Sequence, residues 1–252
     1  MQVFLAWLNT LPFVQWLVRM GPRLKRAFID GNRWKLYLQG LGVTLELTVA
    51  ALVFGTLLGL VVAMIRTAHD QQRPGRRKNP LLGVLNAVCQ VYTTVIRGTP
   101  MLVQLFIWTF VIFPTQRNKI LVGFIGLGVN SGAYVAEIIR GGLMSVDQGQ
   151  TEAGRSLGLN YFDTMRFIVI PQAFKNILPS LGNEFITLFK DTSLVQAIGG
   201  AEMLYYASTI GGRTFDYMPP LIGIAIMYLA VVIVFTWLQG KLERRLRQSD
   251  RR

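Results

Sequence analysis

Apolar residues in this chain come in long, nearly unbroken runs, without the one-sided periodicity that marks the surface helices of a water-soluble fold. The run GLGVTLELTVAALVFGTLLGLVVAMI (40–65) contains a single charged residue, Glu46. A helix needs about 20 apolar residues to cross the hydrocarbon of a bilayer, so 40–65 reads as a clean membrane span. Gly55 and Gly59 are four apart within it and allow another helix to approach closely. Residues 81–113 are apolar apart from a central RGTP (97–100). One helix of that length would run about 50 Å. It therefore either projects beyond the lipid or breaks at 98–100, where Pro100 removes a backbone hydrogen bond. The span proper is placed at about 90–113. Residues 120–139 form a glycine-rich third span, 172–189 a fourth with Pro179 inside it, and 219–238 a fifth. The expected fold is all-α, a polytopic membrane helix bundle of about five transmembrane helices.

The polar segments between the runs set orientation. Residues 66–78 hold five Lys/Arg and residues 241–252 hold six, and basic blocks beside spans stay on the cytoplasmic side. Four spans separate them, so the two blocks agree and the C-terminus is expected in the cytoplasm. The polar segment 151–166 falls on the same side. One block disagrees: six basic residues between positions 19 and 35 land outside by the same parity. Ahead of it, VFLAWLNTLPFVQWLV (3–18) is short and interrupted by Pro12, and it lacks the basic start and small-residue cleavage site of a signal peptide. An interfacial helix anchored by Trp7 and Trp16 is expected there. The chain thus divides into an N-terminal amphipathic, interfacial segment (1–39), a transmembrane domain (40–240) and a basic cytoplasmic tail (241–252).

Composition narrows the function classes. Of 252 residues, 52% are hydrophobic and 15% charged, and the formal net charge is +13. Soluble domains carry nearer a quarter charged residues. The basic excess flanks apolar runs, which suits membrane lipids with anionic head groups and not nucleic acid. One cysteine, Cys89, and one histidine, His69, leave no internal disulfide and no metal cluster built on those ligands. No cofactor is expected, and no catalytic constellation is visible.

The stretch TEAGRSLGLNYFDTMRFIVIP (151–171) interrupts the oil with a short helix, a stop and a re-entry. Asp147 or Thr151 can cap its start, and Glu152 lies in the first turn, where a carboxylate suits the helix dipole. Ala153 and Leu157 share one face. Gly158 is placed to end the helix in a left-handed conformation, and Asn160 or Asp163 can cap the next one. A helix this short cannot hold itself; it needs a docking partner, either the bundle or another chain.

The spacing E-A-x-x-x-x-G, nine residues, then I-x-x-P, carried here by Glu152, Ala153, Gly158, Ile168 and Pro171, resembles the EAA motif of ABC importer permeases. Gly154 replaces the usual second alanine and Ile170 the usual leucine; glycine weakens a helix by about 1 kcal/mol relative to alanine. RGTPMLVQLF (97–106), GAYVAEIIRGGLMSVDQGQTEAGRSLG (132–158), IPQA with LFKDTSL, and VTLELT (43–48) are similar to permeases of the polar amino acid uptake subfamily, over roughly residues 40–240. The resemblance implies a type I ABC importer permease of the bacterial inner membrane. Its coupling loop, about 147–171, would dock onto a cytoplasmic ATP-binding subunit, with Glu152, Ala153, Gly154, Arg155, Leu157 and Gly158 at the contact. Two ATP-binding subunits, a second permease chain, identical or a sister, and an extracytoplasmic substrate-binding protein are the implied partners. The chain has no G-x-x-x-x-G-K-[ST] of its own, so ATP hydrolysis belongs to another subunit.

Charged and amide side chains inside spans ask for a reason. Arg97, the first residue of the RGTP interruption, lines a pathway, holds carbonyls freed at the break, or snorkels toward the cytoplasmic interface. Glu137 and Arg140 are three apart and can neutralise each other. Glu46, Asn130, Asn183 and Glu184 are the remaining candidates, and Asn183 with Glu184 offers the donor and acceptor a zwitterionic amino acid requires. A secondary, ion-coupled transporter is the alternative. Such folds often carry inverted repeats with paired broken helices, and no repeat is evident.

Overall fold

The computed structural model describes residues 20–72 and 79–248; the expected interfacial helix at 3–18 lies outside them. The first long helix, α1 (Trp34–Asp70), begins six residues before the predicted span and runs five past it. At 37 residues it is about 55 Å long, so both ends stand clear of the hydrocarbon. No proline interrupts it. Its buried stripe, including Thr44, Leu47, Thr48, Ala51, Gly55, Gly59 and Val62, recurs every three or four residues, while Val53, Leu57, Val61 and Met64 remain exposed on the opposite side.

That stripe packs against α4 (Lys119–Met144), the most enclosed helix of the described residues. Contact is close because small residues meet. A Cβ on Gly55 would lie 2.8 Å from the Ser131 Cβ, and one on Gly59 would lie 2.9 Å from the Gly132 carbonyl oxygen. The glycine pair thus serves packing within this chain.

Between α1 and α4 the predicted second span is not one helix. Asn79 caps α2 (Pro80–Gly98), its side chain accepting from the Leu81 N–H at 3.0 Å, with Pro80 at the first helical position. Thr99 and Pro100 are extended. The chain then re-enters helix as α3 (Met101–Phe106), continued by a π-helical turn to Ile112. The expectation of a span over about 90–113 is corrected accordingly, and Pro100 is the physical cause.

After α4 comes the short α5 (Gln148–Ser156). Next, α6 (Tyr161–Thr164) passes without a break through a π-helical turn (Met165–Val169) into α7 (Ile170–Asp191). A 3-10 segment (Thr192–Ile198) and a left-handed Gly199 lead to α8 (Met203–Thr214). The last helix, α9 (Met218–Gln248), carries two thirds of the expected basic tail, residues 241–248, as helix. Among the described residues four helices, α1, α2, α4 and α9, are long and apolar enough to cross a membrane. At 22 residues α7 has the length, about 33 Å, but is more polar.

The ends of the bundle follow from side-chain contacts. Phe185 meets Phe235, Phe189 meets Tyr228, and the Gln239 amide donates to the Pro179 carbonyl at 3.1 Å, so α7 and α9 are antiparallel. The end of α9 therefore lies with α5 and the end of α1. At the opposite end, Val195 fills the space beside Gly123, near the start of α4. There Arg23 holds Asp216 in a two-pronged ion pair, both contacts 2.6 Å. This pairing uses one cation of the basic block whose side conflicted with the others. The Arg23 hydrogen bond keeps the Asp216 carboxyl below the usual carboxylate range.

Candidate functional site

The α5 segment is built by local capping. Asp147 accepts from the Gly149 N–H at 2.6 Å and starts the helix. Leu157 leaves it, Gly158 takes φ +79°, and the Leu159 N–H returns to the Gly154 carbonyl at 3.1 Å. This six-to-one bond with a left-handed residue between is the Schellman ending. Asn160 then caps α6 through the Asp163 N–H at 2.9 Å, and its amide donates to the Asp163 carboxylate at 2.6 Å. Both re-entry candidates named from sequence act together.

Orientation is decided by Gly154. It is buried, and a Cβ there would lie 2.9 Å from Thr164 Cγ2 and 3.1 Å from Ile168 Cδ1. The departure from alanine thus lets α5 lie close on the turn that follows. The other face, with Glu152, Ala153, Ser156 and Leu157, is exposed, and Arg155 is exposed at the edge between it and the bundle. Leu157 is 78% exposed, beyond the end of the bundle. Ala153 and Leu157 do share a face, and no described residue covers it.

Behind α5 the chain ties the loop to the bundle. The Tyr161 hydroxyl donates to Gln71, the Gln172 amide donates to Gln150 at 3.2 Å, and the Asn176 amide donates to Ser145 at 2.8 Å. A cavity of about 1350 Å³ lies between α5 and the ends of α1 and α4, bordered by Asp70, Gln72, Arg140, Thr151 and Arg155. Asp70 and Arg140 on its wall belong to an ion-pair chain that continues behind it. Arg66 bonds Glu137, Arg140 reaches the other Glu137 oxygen at 3.3 Å, and Arg140 also approaches Asp70 at 3.8 Å. Sequence paired Glu137 with Arg140 alone; Arg66, 71 positions away, was not visible to helical spacing.

At mid-depth a second polar cluster braces the α2–α3 break. In an unbroken helix the Ile96 carbonyl would receive the amide of residue 100, and proline has none. The Gln104 side chain supplies the missing donor at 2.7 Å, and it also donates to the Thr99 carbonyl at 3.1 Å. The Thr99 hydroxyl donates to the Val95 carbonyl at 2.8 Å. Asn130 on α4 donates to the Gln104 oxygen at 3.0 Å, which completes the amide's bonding. Arg97 does not hold these carbonyls; it is exposed, with its guanidinium 5.3 Å from the Tyr134 ring centre.

The remaining candidates separate. Glu184 turns inward and accepts from the Ser131 hydroxyl at 2.8 Å, whereas exposed Asn183 faces α9 and accepts from Gln239 at 3.0 Å. Neighbours in sequence, they do not converge on one point. Glu46 is exposed on α1. Sequence reasoning missed Glu202, which is fully buried, caps α8 through the Tyr205 N–H at 2.9 Å and accepts from the Tyr228 hydroxyl at 3.1 Å. Its signal was a carboxylate before the apolar MLYY run in an otherwise uncharged stretch.

A bundle of apolar helices with a braced interruption at mid-depth and a capped, outward-facing short helix at one end defines the class: a membrane-embedded transport subunit. The chain belongs to the family described as binding-protein-dependent transport system inner membrane component, which it matches over residues 80–248. It is 34% identical to the arginine transport system permease protein ArtQ of Bacillus subtilis, over 84% of this chain and 93% of that protein. With the L-cystine transport system permease protein TcyB of the same organism the identity is 35%, over 95% and 97% of the two chains. A crystal structure of an amino acid ABC transporter contains a chain that is 40% identical, with a TM-score of 0.75 over 84% of this chain and 94% of that one.

Proposed function

We propose that this chain is the permease subunit of an ATP-driven importer of a polar amino acid, and that α5 is the helix through which movements of a cytoplasmic ATPase reach the bundle. The observation that carries the coupling assignment is the outward face of α5. A two-turn helix is fixed from behind by Gly154, Asp147 and Asn160, yet presents Ala153 and 78%-exposed Leu157 to no described residue. Apolar surface held out on a rigid, capped element is a contact surface. Glu152 and Arg155 flank it and supply polar register. Amino-acid cargo is favoured by the relatives, whose names specify arginine and L-cystine. Two ATP-binding subunits, a second permease chain and an extracytoplasmic binding protein complete the assembly. The C-terminus of α9, at the same end as α5, lies in the cytoplasm. ATP hydrolysis is carried out by the partner. Family membership in binding-protein-dependent transport disfavours the ion-coupled alternative.

The test is purification of the tagged chain from its native membrane in mild detergent, with mass spectrometry of what accompanies it. A stoichiometric ATP-binding protein, lost on Glu152→Lys or Leu157→Asp, supports the assignment. A chain that purifies alone, or a partner held equally by both variants, contradicts it.

A further inference from the structure

The α2–α3 break lies at the middle of the membrane. Asn130 and Tyr134, which meet Gln104 and Arg97, occupy the centre of the 26-residue α4. At the same level α1 contributes Gly55 and Gly59, which pack on Ser131 and Gly132. Two features there are incompatible with lipid. Residues 97–100 are all exposed, and Thr99 and Pro100 are non-helical. Irregular backbone at this depth is tolerated only where protein covers it or where it lines water. The exposed group beside it is a guanidinium, which is costly against hydrocarbon, and no carboxylate lies within ion-pair distance of Arg97 among the described residues. The bracing by Thr99, Gln104 and Asn130 accounts for the freed carbonyls of Val95, Ile96 and Thr99 without using Arg97. The charge is therefore left over for something outside the chain.

We infer that the surface at 97–100 lines a water-filled route across the membrane, and that Arg97, resting on Tyr134, is an anion site on that route for the carboxylate of the cargo. Gln104 is a positioning residue: it fixes the backbone that carries Arg97 and does not itself meet the cargo. The carboxylate as cargo group rests on the proposed amino-acid import; the water and the preference for negative charge do not.

The chain's one cysteine makes the test direct. In a Cys89→Ala background within the assembled transporter, Gly98→Cys places a thiol where a Cβ meets nothing within 4 Å. Leu57→Cys, 61% exposed on the outer side of α1 at the same depth, is the lipid-facing reference. Small methanethiosulfonate reagents, one anionic (sulfonate) and one cationic (trimethylammonium), are compared after correction for their rates with a free thiol. Both are expected to modify position 98 and to leave 57 unmodified. The anionic reagent should be preferred about tenfold, a modest ratio for a unit charge a few ångströms away, and Arg97→Gln should abolish that preference. Thr94→Cys, one turn earlier on the same exposed face, reports the same surface should the Gly98 variant not accumulate. No modification at either position means that protein or lipid covers the break and overturns the inference. So does modification without anion preference, or with a preference that survives Arg97→Gln. Co-purification of the ATP-binding subunit is scored on the same preparations, so a failed anion site and a failed importer assignment give different results.

Discussion

The chain interrupts its apolar helices twice, at RGTP (97–100) and at TEAGRSLGLN (151–160), and the two interruptions are finished in opposite ways. At RGTP, level with the centre of α4, freed carbonyls are satisfied from within by Thr99 and Gln104, and Gln104 is in turn held by Asn130. At the second site, beyond the end of the bundle, Asp147 and Asn160 cap the backbone locally, and the apolar side chains point away from the protein. The difference follows from solvent. Hydrocarbon offers no hydrogen bonds, so a break there must carry its own donors. Water at the bundle end satisfies whatever backbone is left, so that loop can hold its apolar residues away from its own chain.

The comparison can be broken most forcefully at the buried site. Gln104→Leu keeps the bulk but removes the donor to Ile96 and the acceptor for Asn130, and each orphaned group costs about 1–3 kcal/mol. We expect a markedly lower melting temperature in detergent, partly restored by combining it with Asn130→Leu. Leu157→Asp at the other interruption should leave melting of the isolated chain within about 0.5 kcal/mol of wild type, as for other surface substitutions. Equal losses at the two positions would erase the distinction.

Smaller changes sharpen it. Asn160→Ala removes a cap and should cost about 1 kcal/mol, read as faster hydrogen exchange over α6 and α5 but not over α7. Gly154→Ala sets a gain in helix propensity of about 1 kcal/mol against a 2.9 Å approach to Thr164 Cγ2. We expect a small net loss of stability that Thr164→Ser, which deletes that methyl but keeps the hydroxyl oxygen 3.0 Å away, reduces. The smallest effect belongs to the end of the bundle opposite α5. The Asp216 carboxyl titrates below its ordinary range because of Arg23. Its contribution is therefore complete above about pH 4, the unfolded value, and is lost as the pH falls further. Exchange over residues 20–33 should stay slow down to that pH and quicken below it, and Asp216→Asn should remove the pH dependence.

What sequence disclosed differs between the same two sites for the same reason. Local chemistry was legible: the caps Asp147 and Asn160, the left-handed Gly158 and the break at Pro100 are all signalled within a few residues. Partners distant in the chain were not. Gln104 was passed over because its bond to Ile96 exists only once the helix has broken, and Arg66 because Glu137 is 71 positions away. Gly154 looked like a weakened alanine until Thr164 and Ile168 were seen against it. Span limits came out short because hydropathy marks the lipid-embedded part, whereas α1 continues as helix beyond its apolar run at both ends.

The most direct measurement is photo-crosslinking from position 157 against position 98 in the membrane-assembled transporter. A crosslinking amino acid replacing Leu157 should capture the ATP-binding subunit in high yield, and the same group replacing Gly98 should not capture it at all. Capture from both positions, or from neither, would contradict the assignment of α5 as the element that meets the ATPase.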